Sequence, residues 1–198
     1  MTNYEMIVLD LDGTLTNRDK VITPRTKKAL MEAQEAGNIV VLASGRPTPG
    51  VEPLAKELEM DRFGSYILSY NGGMITNCKT GEAVFTSLLP LESNQKIIGL
   101  AEEHRVDILT YEGDRIITNN DQCPYAVKES NINHLPLVQV ESMRDYVRFE
   151  VPKFLMLDDG DYLVTVEPLV KAALGKNFSV YRSEPYFLEV MPKGIDKA

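Results

Sequence analysis

The stretch IVLDLDGTLT, residues 7–16, is an apolar run that ends in two carboxylates, Asp10 and Asp12. Gly13 and the hydroxyl of Thr14 come immediately after. Delivering two acids to the end of a buried strand is costly unless a ligand or a reaction uses their charge. Two later apolar runs also end in useful chemistry, one in Ser44-Gly45-Arg46 and the other in Asn71-Gly72-Gly73. Gathered in one crevice, these residues supply two carboxylates, a hydroxyl, a cation and several backbone N–H groups near glycines. Phosphoryl transfer needs such a set: a nucleophile or metal ligand, an acid/base, and donors for the phosphoryl oxygens. Either acid alone reads more readily as a turn former or a helix N-cap. The pair, with a serine at the next strand end, favours chemistry.

The elements that must carry these residues are legible in outline. Residues 6–9 read as a buried strand. The stretch TPRTKKALMEAQEAG then places Thr23 at an N-cap, Pro24 in the first turn and Gly37 just past the end of a helix. A second strand spans 38–45, and a helix over 48–60 puts Val51, Leu54 and Leu58 on one face. A third strand, 65–73, closes in glycines. Short apolar strands alternating with helices imply a parallel α/β sheet with both faces covered. Ligands of such sheets gather beyond the carboxyl ends of the strands, where all three motifs fall.

After Gly73 the rhythm changes. Residues 74–87 read as a hairpin turning at 79–81, followed by a helix near 93–104 and strands at 106–111 and 115–118. Less regular sequence runs to Arg148. A strand at 153–159, a helix at 162–174 and strands at 178–183 and 186–192 complete the chain. Hairpins mixed with helices predict a separate α+β unit inserted into the parallel-sheet domain. The acids of LDDGD, 157–161, open a helix and suit its N-terminus electrostatically rather than a metal.

Composition narrows the partners. A net charge of −8 over 198 residues disfavours nucleic acid and anionic membranes, whose phosphates attract excess Lys and Arg. No apolar run approaches the ~20 residues of a membrane helix. Cys78 and Cys123 are too few for a disulfide framework, which points to a reducing, cytoplasmic setting. His104 and His134 have no second ligand at metal spacing.

DLDGTL, a strand-end ASGR and a later PKGIDKA together resemble the haloacid dehalogenase-like hydrolases, and among them the Cof-type sugar phosphatases of subclass IIB. The similarity runs over essentially the whole chain. It implies a three-layer, Rossmann-like core of residues 1–83 plus 188–198, incomplete at its C-terminus, with an inserted cap of the C2B type at 84–187. It further implies that Asp10 attacks phosphorus and becomes an aspartyl-phosphate. Asp12 would protonate the leaving alkoxide and then deprotonate water, while its backbone carbonyl joins Asp10 in binding Mg²⁺. Ser44 would hydrogen-bond the phosphoryl group, and Lys197 would neutralise charge. Gly13, Thr14, Gly45, Arg46, Asn71 and Gly72 would line the substrate side. By itself Arg46 reads better as a surface or subunit-contact residue than as a catalytic one.

The resemblance also bears on activity and association. The family's Gly-Asp…Asn-Asp metal motif belongs downstream of GIDKA, so residues 1–198 alone are expected to have little activity. The strand MIVLDL would then form an uncovered edge through which copies could associate. The expected substrate is a small phosphorylated metabolite, first of all a sugar phosphate, since a cap excludes large molecules and water. Alternatives are a phosphomutase of the same superfamily and a non-catalytic form that binds phosphosugars or a partner. A receiver domain fits less well, because it is shorter and carries its phosphoacceptor on the third strand.

Overall fold

The structure is a computed structural model and describes residues 5–195. Lys197, expected in the catalytic set, lies outside the described residues. The chain divides into two compact units, 5–86 and 87–195.

The first unit is built on β1 (Met6–Asp10), α1 (Pro24–Glu35), β2 (Ile39–Ala43), α2 (Thr48–Glu57), the single turn α3 (Met60–Phe63), β3 (Tyr66–Ser69), β4 (Met74–Asn77) and β5 (Ala83–Thr86). Its sheet has the order β1-β2-β3-β4-β5. The first three strands are parallel and the last two antiparallel. In α1 the Thr23 hydroxyl accepts the Thr26 N–H, and Pro24 fills a position whose missing N–H costs nothing. Ile7, Leu9, Val40, Leu42 and Ile67 share a core with Leu30 of α1 and Val51 and Ala55 of α2. These two helices lie side by side: the Gln34 side-chain amide of α1 donates to the Leu58 carbonyl just past α2, at 2.9 Å. Among the described residues, helices therefore cover one sheet face. Met6 and Val8 alternate onto the other and are 50% and 53% exposed. Among the described strands, β1 lies at the end of this sheet.

The third strand is shorter than its apolar run. It stops at Ser69 because Tyr70 and Asn71 turn to φ 50° and 57°, where a strand cannot continue, and residues Tyr70–Gly72 form a 3₁₀ turn.

The second unit holds α4 (Leu91–Glu103), β6 (Asp107–Glu112), β7 (Arg115–Thr118), α5 (Pro124–Asn133), β8 (Leu137–Gln139), the single turn α6 (Met143–Tyr146), β9 (Phe154–Leu157), α7 (Gly160–Leu174), β10 (Phe178–Glu184) and β11 (Phe187–Pro192). Its six strands run in the order β10-β11-β9-β6-β7-β8. One sheet face packs Ile108, Phe154, Met156, Leu188 and Val190 against Ile97 and Ala101 of α4 and Val166 and Val170 of α7.

Three differences from the sequence-based expectations stand out. The stretch 119–148, expected to be irregular, contains α5, β8 and α6. The unit boundary falls after Thr86 rather than at 83. Residues 188–195, expected back in the catalytic core, belong to the second unit, because β11 is held on both sides, by β10 and by β9. The LDDGD acids do serve a helix: the Asp159 carboxylate accepts the Asp161 N–H at 2.9 Å at the start of α7.

Candidate active site

The carboxyl ends of β1, β2 and β3 bring the expected residues to one end of the first sheet. Asp10 is the last residue of β1, in register with Ala43 of β2, so Ser44 directly follows its neighbour. After Asp10 the chain turns sharply, with the Leu15 and Thr16 N–H groups donating to the Asp10 and Leu11 carbonyls at 3.1 and 2.9 Å. The turn passes through Gly13 at φ +80°, a conformation that strains any side chain, and leaves Asp12 and Thr14 exposed while Leu11 and Leu15 anchor in the core.

The ends of β2 and β3 are tied together by their backbones. Ser44 N–H donates to Leu68 at 2.8 Å, Asn71 N–H to Ser44 at 2.9 Å, and Tyr70 N–H to Arg46 at 3.0 Å. The buried Ser44 hydroxyl oxygen accepts the Arg46 N–H at 3.1 Å, an arrangement that leaves its own proton available to donate. Gly45 lies against the buried Asn71 side chain, and a Cβ on it would stand 2.7 Å from the amide oxygen. Gly72 follows, buried, at φ +99°. Burial pushes the Tyr70 hydroxyl well above its ordinary range, against a smaller opposing effect from a hydrogen bond with the Thr48 backbone. The Tyr70 hydroxyl therefore keeps its proton at neutral pH.

Two cations meet the same oxygen of Asp12. Arg46 Nη2 lies 2.8 Å and Lys20 Nζ 2.7 Å from Oδ1. Burial by itself would raise the Asp12 carboxyl; the bonds and charges of Lys20 and Arg46 outweigh it and hold the group below the usual carboxylate range. The expectation that Arg46 is a surface residue is corrected here. Its side chain is only 16% exposed, and it is an Asp12 partner because the β2 end sits beside the β1 end. Lys20 is absent from the expected set. Only its proximity in sequence to DLDGT hinted at it, and nothing in the residue pattern says where its amine goes.

The whole sequence from residue 7 to 198 matches the haloacid dehalogenase-like hydrolase family. The chain belongs to it. A solved haloacid dehalogenase-like hydrolase from Bacteroides thetaiotaomicron is 44% identical to it, with a TM-score of 0.94 covering 98% of this chain and 73% of that one. The 5-amino-6-(5-phospho-D-ribitylamino)uracil phosphatase YcsE of Bacillus subtilis is 34% identical over 196 residues, 99% of this chain and 68% of the relative. A subclass IIB sugar phosphatase of known structure shares the fold at 20% identity and a TM-score of 0.73, over 98% of this chain and 72% of its own. The chain is thus a hydrolase of the phosphatase kind, with an α/β fold whose core sheet contains parallel strands. Among the described residues, no helix is long and apolar enough to cross a membrane.

Proposed function

We propose that this family member is a Mg²⁺-dependent phosphomonoester hydrolase for small phosphorylated metabolites, sugar phosphates foremost, with Asp10 as nucleophile and Asp12 as general acid and base. The observation that carries the reading is the division of labour at the end of β1. Asp10 ends the strand, whereas the turn through Gly13 carries Asp12 out to two cations. Two carboxylates two residues apart thus occupy different environments, one ending a strand and the other paired with two cations.

In the first step an Asp10 oxygen forms a bond to phosphorus, the bond from phosphorus to the substrate oxygen breaks, and Asp12 gives that oxygen its proton. In the second, water attacks the aspartyl-phosphate, Asp12 takes a proton from the water, and the Asp10–phosphorus bond breaks to release phosphate. The Ser44 hydroxyl and the backbone around Gly45 and Gly72 are suited to hold phosphoryl oxygens, with Thr14 and Asn71 beside them. Lys197, by the resemblance, would add a further positive charge.

The donors present fit Mg²⁺, which takes hard oxygen ligands, uses one or two carboxylates and keeps several waters. The Asp10 carboxylate and the Asp12 main-chain carbonyl would hold it, since the Asp12 carboxylate is engaged by Lys20 and Arg46. When bound, the ion would screen the mutual repulsion of Asp10 and the phosphoryl group. The substrate class draws support from the B. subtilis relative, whose named substrate is a phosphomonoester on a ribityl chain. We also take residues 87–195 as the inserted cap unit of the family.

Phosphate release by the full-length gene product from a panel of sugar phosphates and from p-nitrophenyl phosphate, with and without Mg²⁺, tests the proposal. Release that needs Mg²⁺ and is abolished in both Asp10→Asn and Asp12→Asn is expected. Turnover persisting in Asp10→Asn rules out the aspartyl-phosphate.

A further inference from the structure

Lys20 reaches Asp12 from a tight turn. Residues 17–22 fold back on themselves: the Asn17 side-chain oxygen accepts the Asp19 and Val21 N–H groups at 2.9 and 3.1 Å, and Thr16 bridges to Ile22. Lys20 itself takes φ +62°, costly for a side chain with a Cβ, and its N–H donates to the Asn17 carbonyl at 3.0 Å. The two cations on Asp12 differ in kind. Arg46 is largely buried and its backbone is bonded to both Ser44 and Tyr70. Lys20 is 61% exposed, and an exposed pair of this type adds little to stability. Both nevertheless take Oδ1, and Oδ2 has no partner among the described residues.

We infer that Lys20 is a positioning residue for the general acid and base: with Arg46 it pins Oδ1 of Asp12, so that the carboxylate cannot flip and Oδ2 is the oxygen that exchanges protons with the leaving group and with water. One contact would leave the carboxylate free to swing about that bond; two from different directions fix its plane. The inference rests on the role proposed for Asp12, and it assigns Lys20 no contact with substrate.

The test compares Lys20→Met and Lys20→Arg with the unaltered protein, all as the full-length gene product, on two Mg²⁺-supported substrates, glycerol phosphate and p-nitrophenyl phosphate. An alkoxide leaves only with a proton, whereas p-nitrophenolate needs little help. Lys20→Met should therefore lower kcat on glycerol phosphate by about tenfold to a hundredfold, lower it much less on p-nitrophenyl phosphate, and leave KM within about threefold. Lys20→Arg should restore most of the loss. Equal losses on both substrates, an effect confined to KM, or no effect overturns the inference.

Asp12→Asn, run in parallel, separates the two readings. If it keeps full activity, the acid/base role itself is wrong. If it is inactive while Lys20→Met is unimpaired, only the role of Lys20 fails. A readout independent of turnover is the ¹⁵N spectrum of the lysine ammonium groups. A Lys20 signal protected from exchange and lost in Asp12→Asn is expected, and its absence from the unaltered protein overturns the pairing whatever the activity.

Discussion

The Cβ that Gly45 lacks would stand 2.7 Å from the side-chain oxygen of Asn71, closer than real side-chain carbons approach. Gly45 is a glycine because the ends of β2 and β3 touch there: the Asn71 N–H bonds to the Ser44 carbonyl, and the Asn71 side chain fills the space a methyl group would take. Gly45→Ala should push the Asn71 amide aside. We expect kcat/KM to fall by about tenfold to a hundredfold, the scale of a misplaced binding group. The loss of stability should be no more than about 2 kcal/mol. Steady-state kinetics beside thermal unfolding check both parts.

Lys153 and Glu189 form an ion pair at 3.0 Å inside the second unit, their side chains 3% and 5% exposed. Removing one partner leaves the other charge buried without its counterion, so Lys153→Met should destabilise by about 3–5 kcal/mol. Replacing both, as Lys153→Met with Glu189→Leu, should recover most of that loss. Urea titration of the two variants decides it. A double variant no better than the single one would show that the pair is needed for more than mutual neutralisation.

Gln34 joins three elements that look unrelated in the sequence. Its amide donates to the Leu58 carbonyl, its oxygen accepts the Ser65 hydroxyl at 3.0 Å, and the Ser65 oxygen accepts the Val40 N–H at 3.2 Å. Gln34→Leu fits the apolar surroundings but leaves the Leu58 carbonyl and the Ser65 hydroxyl short of a partner. It should cost about 1–3 kcal/mol, measured as a shift of the denaturant midpoint at unchanged slope.

Cys78 is half-buried near two acids. Burial first, then the negative charges of Asp61 and Glu52, push its thiol up to about 11. The reactive thiolate is therefore scarce at neutral pH, and its fraction grows as pH rises toward that value. Alkylation of Cys78 by iodoacetamide at pH 7.5 should be roughly a hundredfold slower than that of a free thiol titrating near 9. The rate should keep rising through pH 10, as peptide mass spectrometry of timed samples would show.

How much of the fold can be read from sequence depends on the range of the interactions. The strand ending in Asp10, the helix opened by Thr23 and Pro24, and the hairpin of β4 and β5 rest on neighbouring residues and are all legible. The helix α5 is not, because the side it buries carries Ala126, Glu129 and Asn133 instead of an apolar stripe. Glu129 is accommodated by the Tyr111 hydroxyl at 2.7 Å and the Asn133 amide at 2.8 Å, partners that no window on the sequence displays. The strand end at Ser69 is hidden for a similar reason. Tyr70 and Asn71 hold left-handed backbones where their N–H groups bond to the loop after β2.

The amino-acid sequence alone determined that two carboxylates stand at the end of an apolar strand beside a glycine, because that depends only on neighbours along the chain. Which charges surround the second carboxylate was decided by the fold. Arg46, 34 residues away, arrives because β2 lies parallel to β1, and Lys20 arrives because a tight turn reverses the chain toward Asp12. Coulomb forces act through space rather than along sequence, so the electrostatics of Asp12 could be known only once the strands were side by side.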